Sequence, residues 1–205
     1  MDTTQPDVSL AQILDELKDH GILLTTDPKL PSVCAMVAGG PVRGSWWAHP
    51  RSHAMFRVLT ELAAHPDVLV AKLVSGKDTF IHRALWPAVL AIGTSQEKWQ
   101  MQGLDAKSRA LLKEVEKKGE IEASGKSALR LEQALLVHGE QEHTDAGSHA
   151  KILMSWERWA KRARMKKGDL REAKASLEKN VEYLNRRYGG RGRLPWREPT
   201  PCTCT

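Results

Sequence analysis

Cysteine is scarce in this chain. It has three in 205 residues, two of them in Cys202-Thr203-Cys204 near the end. Three cysteines do not make a disulfide framework, and the expectation is a reducing cytoplasm. No apolar run approaches the length of a membrane span. No charged-then-apolar leader suggests export. No internal repeat of fixed period is legible. Disulfide-stapled scaffolds and membrane-spanning helices therefore fall away as starting points.

What is present is enough for a core and one or two domains, with 41% hydrophobic residues. The formal net charge is +6 and the pI about 9.3. That balance favours DNA or another polyanion as partner. The plainer alternative is a basic tail on an ordinary globular protein.

The most informative stretch is 44–83. Pro50 suits the first turn of a helix. Met55, Phe56, Val58, Leu59 and Leu62 then form one apolar stripe at helical spacing. His65-Pro66-Asp67 stops it, because the residue before a proline avoids the helical region. Residues 68–74 are rich in β-branched side chains, Ser75-Gly76-Lys77-Asp78 is turn chemistry, and Thr79, Phe80 and Ile81 resume an extended pattern. This predicts a helix followed by a hairpin. Upstream, Leu10, Ile13, Leu14 and Leu17 share a helix face with Ser9 as cap, and Gly21 ends the helix. Residues 22–24 read as a short strand and 31–38 as a second short helix.

Downstream, 84–92 predicts a short buried helix with Pro87 in its first turn. Residues 94–103 read as a connector with at most one helical turn. Residues 105–118 predict a helix capped by Asp105 and stopped by Gly119. A short strand at 120–123, a helix at 127–134 and a strand from 135 follow. Residues 146–167 are predicted helical, with Ile152, Leu153, Trp156 and Trp159 on the buried side. Asp169 caps a last helix to about 188. Residues 189–205 have the composition of an unpacked basic tail. The division expected is 1–93, 94–188 and 189–205, in a mainly α chain with short β hairpins (α+β).

Four groups of residues suggest chemistry. The first is cationic: Arg51, His53 and Arg57 lie off the stripe of the third helix, and Lys72, Lys77, His82 and Arg83 lie in or beside the hairpin. Arginines there would hold phosphate or read guanine edges, or they form a solvated face. The second is Arg43-Gly44-Ser45-Trp46-Trp47-Ala48-His49-Pro50. Adjacent tryptophans cannot both point one way from a helix or strand. One is expected to anchor the core, leaving the other to stack on an unpaired or extruded base. His49 and His53, four apart, would share a helix face if the helix begins early. The alternative is a Trp-stapled turn with His49 bonded to backbone.

The third group is 138–149, with three histidines and three carboxylates in twelve residues: His138, Glu140, Glu142, His143, Asp145 and His149. In an extended segment, His138, Glu140 and Glu142 share one face. His143 with Asp145 or His149 would bind a divalent metal, or Glu140, Glu142 or Asp145 would activate a water, or the segment is simply a polar strand ending in a helix cap at Thr144 or Asp145. The spacing matches no established zinc motif, and no metal or cofactor is assigned. The fourth group is basic: Arg158, Lys161, Arg162, Arg164, Lys166 and Lys167 at one helix end, then Arg186, Arg187, Arg191, Arg193 and Arg197. Part of this charge suits a helix C-terminus. The rest fits a strand-clinging or merely solubilising tail.

The element order over 9–83 is helix, strand, helix, helix, strand, turn, strand. It resembles the winged-helix superfamily, whose third helix enters a major groove while the wing rides over phosphate or minor groove. The order at 105–138 resembles a second, trimmed unit. With the basic charge and Gln100-Met101-Gln102, it also faintly resembles bacterial DNA glycosylases built from tandem winged helices, which excise alkylated bases and unhook crosslinks. In those enzymes a Gln-containing triplet lies in the catalytic cleft. Here the triplet follows the first unit and the chain is short, so no activity is carried over and Gln100 and Gln102 are expected on the surface of a connector. The resemblance implies a DNA-binding protein, regulatory or repair-associated. A glycosylase-like enzyme using the Trp46-Trp47 turn with 138–149 and a protein-interaction module, self-association included, are the alternatives.

Overall fold

The computed structural model describes residues 8–143 and 149–197, with the side chains of 141–143, 149 and 150 left aside. Helix α1 (Leu10–His20) begins at a capping box in which the Ser9 hydroxyl accepts from Gln12 N–H and the Gln12 side chain accepts from Ser9 N–H. Gly21 ends it at φ +75°, a conformation that favours glycine. Strand β1 (Ile22–Leu24), helix α2 (Val33–Ala38), a 3-10 turn at Trp46–Ala48 and helix α3 (Ser52–Ala63) follow. Strands β2 (Val68–Val74) and β3 (Lys77–His82) form a hairpin whose two turn residues, Ser75 and Gly76, both have positive φ. Such a turn matches the twist of an antiparallel pair. The sheet order is β1-β3-β2, with Leu23 opposite Phe80 and Leu69 opposite Ile81. Ile13, Leu17, Leu23, Val33, Met55, Val58, Leu62 and Phe80 close one core beneath it. The order of elements expected over 9–83 is therefore present.

Helices α4 (Trp86–Gly93) and α5 (Lys98–Gln102) lead to a second sheet unit: α6 (Ala106–Lys118), β4 (Glu120–Glu122), α7 (Gly125–Gln133), β5 (His138–His143) and β6 (His149–Met154). Its strand order, β4-β6-β5, repeats the first. The correspondence extends to single residues. Gly119 ends α6 at φ +84°, ψ −38°, and Gly21 ends α1 at φ +75°, ψ −31°. Each glycine carbonyl accepts an N–H from where its own third strand ends, from His82, the last residue of β3, at 2.9 Å and from Ser155, just after β6, at 2.8 Å. The second unit has one helix between its strands where the first has two and a 3-10 turn.

The helix expected over 146–167 is corrected. Residues 149–154 are the central strand of the second sheet, with Ile152 opposite both Glu122 and Glu140. Pairing on both sides decides the backbone here. Among the described residues of that range only helix α8 (Trp156–Ala163) is helical, started by the Ser155 side chain accepting from Arg158 N–H.

Helix α9 (Leu170–Tyr188) packs on α4, and between the two sheets they build a larger core from residues as distant as Ile22 and Leu194. Buried tryptophans anchor it by their N–H groups: Trp86 donates to Ile81 O at 3.1 Å and Trp156 to Leu135 O at 2.8 Å. The expectation of an unpacked tail is corrected for 190–197. Asn185 both donates to Gly192 O and accepts from Gly192 N–H, at 2.9 and 2.7 Å. Leu194 is buried, and Trp196 donates to Glu178 at 2.7 Å. Enough apolar and hydrogen-bonding side chains sit among the arginines to fix the segment. The chain is mainly α with two small antiparallel sheets, and no helix of the described residues is long and apolar enough to cross a membrane.

Candidate nucleic-acid interface

The turn at Trp46–Ala48 brings two indoles into a face-to-face stack, with centroids 3.9 Å apart. The rings are not splayed as a helix or strand would splay them. Trp46 is half-buried against the first core, and Trp47 is 61% exposed. Phe56, one residue beyond Met55 on α3, points away from that core. It is 41% exposed and its ring is 5.6 Å from that of Trp47. Met55, Val58 and Leu62 bury the inner side of α3, so the predicted stripe holds with Phe56 excluded.

On the same segment Arg43, His53 and Arg57 are exposed, and Arg51 is half-buried. Helix α3 starts only at Ser52, and His49 Nδ1 accepts from Arg51 N–H at 3.1 Å. The notion of His49 and His53 on one helix face is therefore corrected: His49 is outside the helix and braces its start. A further signal was readable in the sequence and was missed. Between Asp27 and Glu61 there is no carboxylate at all, while Lys29, Arg43, His49, Arg51, His53 and Arg57 fall in that interval. The segment that supplies α2, the Trp turn and most of α3 thus has no negative side chain of its own.

The hairpin cations each sit against a carboxylate. Lys72 binds Asp78 at 2.7 Å and is largely buried, Lys77 binds Asp27 at 2.8 Å, and Arg83 pairs with Asp67 at 3.3 Å. Burial acts to raise the Asp27 carboxyl, but its bonds from Lys77 and from the Leu30 and Lys29 amides outweigh that and hold it below the ordinary value. The turn tip is also occupied. Ser75 N–H donates to Arg193 O at 2.7 Å, and the Ser75 hydroxyl accepts from Arg193 N–H at 3.2 Å. Gln133 of α7 lies against Gly76. The hairpin tip thus packs on the chain's own α7 and C-terminal segment.

Of the 138–149 cluster, the described side chains are those of His138 and Glu140. His138 is buried, and its Nε2 lies 3.1 Å from Glu140 Oε1, so the shared strand face is present. Arg162 clasps both Glu140 oxygens. The His138 bond is the largest influence on Glu140, burial opposes it and Arg162 adds to it, and the carboxyl is lowered to about 2. Glu132, also buried, binds Lys151 at 2.7 Å. Between the sheets, Lys72, Asp78, Glu132, His138 and Gly139 border a cavity of about 20 Å³, the room of a single water. Asp145 lies outside the described residues, as do the side chains of Glu142, His143 and His149. Among the described residues no three His, Cys, Asp or Glu side chains are grouped to hold a metal. Trp46 packs on the first core, whereas His138 lies beside Trp156 and Trp159 of the larger one.

Gln100 is corrected from surface to core. It is 1% exposed, donates to Ile92 O and Ala134 O, and accepts from Ser95 Oγ and Glu97 N–H. It ties α4, α5 and the end of α7 together, and Gln102 alone of the pair is exposed. At the other end, Arg158 is held by Glu120 and Arg197 by Glu178, whereas Lys161, Arg164, Lys166 and Lys167 remain exposed. No family model, no curated protein and no solved structure matches this chain.

Proposed function

We propose that this chain is a nucleic-acid-binding protein of the winged-helix type, regulatory or repair-associated, that takes DNA on the face formed by α3 and the Trp46–Ala48 turn. One observation carries the reading: the carboxylate-free interval between Asp27 and Glu61 supplies that face with Arg43, Arg51, His53 and Arg57. A polyanion meets no opposing charge from this segment, and each phosphate neutralised releases counterions. The strand order β1-β3-β2 behind α3 agrees with a winged unit, and the second sheet unit agrees with a trimmed copy. The reducing cytoplasm expected from cysteine usage suits Cys34, which is buried and pushed up to about 11 by that burial, so it is inert as a thiolate.

The test is equilibrium binding of a labelled duplex across salt concentrations. The expected log–log slope is about −0.9 for each phosphate contact. Arg43→Glu with Arg57→Glu lowers both affinity and slope. Binding that ignores salt, or that the double reversal leaves unchanged, overturns the assignment.

A further inference from the structure

We infer that Trp47 and Phe56 form a stacking step for an unpaired nucleobase, so that the preferred ligand is nucleic acid with a single-stranded or extruded nucleotide. This rests on the nucleic-acid reading above and names its substrate class.

Four large apolar side chains among the described residues are substantially exposed: Trp47, Phe56, Leu129 and Tyr183. Trp47 and Phe56 are in ring contact with each other. Tyr183 is engaged through its hydroxyl by Arg187. The first core does not need Trp47, because Trp46 supplies the indole that packs on it. Trp46 instead backs Trp47 at 3.9 Å, so the outer ring is held in place before any ligand arrives. A ring fixed in advance loses little freedom on binding.

The surroundings select the occupant. An apolar protein segment would suit the rings alone, but the segment that bears them carries Arg43, Arg51, His53 and Arg57 and no carboxylate. An aromatic platform within a cationic frame matches a base whose flanking groups are phosphates. A fully paired duplex keeps its base faces in its own stack and offers nothing to Trp47. Only an unpaired base uses rings and cations together.

The experiment compares the full-length protein on three labelled DNA probes of one sequence: a paired duplex, the same duplex with one unpaired internal nucleotide, and a single strand. A matching RNA strand distinguishes the sugar. The expected result is tighter binding to the probes with unpaired bases. Trp47→Ala with Phe56→Ala should weaken those probes roughly 5- to 100-fold, as loss of base stacking does, and the paired duplex less than about two-fold by the same reasoning. Trp47→Phe should keep most of the preference. Both side chains are exposed, and an unchanged thermal melt verifies folding of each variant. The inference is overturned if the wild type does not discriminate, or if the double variant weakens all probes alike. It is also overturned if the variant dissociates a dimer without altering discrimination, since the rings would then face a second copy. The paired-duplex arm reads the underlying assignment separately: absence of salt-dependent binding there sinks that assignment, and binding without Trp47-dependent preference sinks only the stacking step.

Discussion

The indole of Trp156 lies directly on Gly93: a Cβ at that glycine would stand 2.4 Å from Nε1 and 2.6 Å from Cδ1. The indole cannot retreat, because its N–H is bonded to Leu135 O and the ring is fully buried beside Trp159. Gly93→Ala is expected to destabilise the fold by about 2–3 kcal/mol through overpacking. Urea unfolding followed by near-ultraviolet circular dichroism measures it. An unchanged midpoint would mean that α4 and α8 are not docked this closely.

Glu140 predicts an acid transition. Its folded value, about 2, is below the ordinary 4.5, so the unfolded chain binds the proton more readily. The stabilisation is complete above about pH 5 and is lost as pH falls from the ordinary value through the folded one. Glu140→Gln should therefore cost on the order of 1–2 kcal/mol at pH 7 and progressively less toward pH 2. A variant whose deficit is constant across that range would show that the carboxylate's charge is not what Arg162 and His138 hold.

The hairpin cations should contribute little to nucleic-acid affinity. Lys72, Lys77 and Arg83 each face a carboxylate, and Lys72 is largely buried. Lys77→Ala and Arg83→Ala are expected to change duplex affinity less than about three-fold and leave the salt slope within about one contact, whereas Arg43→Glu lowers it. A slope that falls equally for both sets would return the hairpin to the interface.

Arg164 ends α8 at φ +51°, in the left-handed region, where most helices place glycine. Arg164→Gly removes the Cβ crowding and should stabilise the protein by about 0.5–1 kcal/mol. Thermal melts in parallel with the wild type decide it. A lower melting temperature would show that the arginine side chain makes stabilising contacts exceeding its backbone cost.

The first unit was readable because its local signals agree with its packing. The Ser9 cap, the Gly21 stop, the apolar stripe on α3 and the Ser75-Gly76 turn are all nearest-neighbour features. Strand β6 was misread for the opposite reason: Ile152, Leu153, Trp156 and Trp159 recur at helical spacing, but β4 and β5 flank the segment and impose extension. Gln100 was misread because a polar side chain is usually wet, and here four groups satisfy it, three from the adjoining turn and α4 and one, Ala134 O, from the end of α7. In the candidate site, the Trp pair and the α3 cations stood out in the chain. The neutralisation of Lys77 did not, since Asp27 is 50 residues away and only the fold unites them. The missing carboxylates between Asp27 and Glu61 were legible but are seen only when absences are counted.

The larger core sets an order on biosynthesis. The first core needs nothing beyond Phe80, so it can close while the rest of the chain is still on the ribosome. The larger one takes Ile22 and Leu24 from the first strand and Leu194 from almost the last helix-flanking turn. Its earliest members must wait until Leu194 has been made, and the nascent protein spends that interval with an apolar seam open to chaperones.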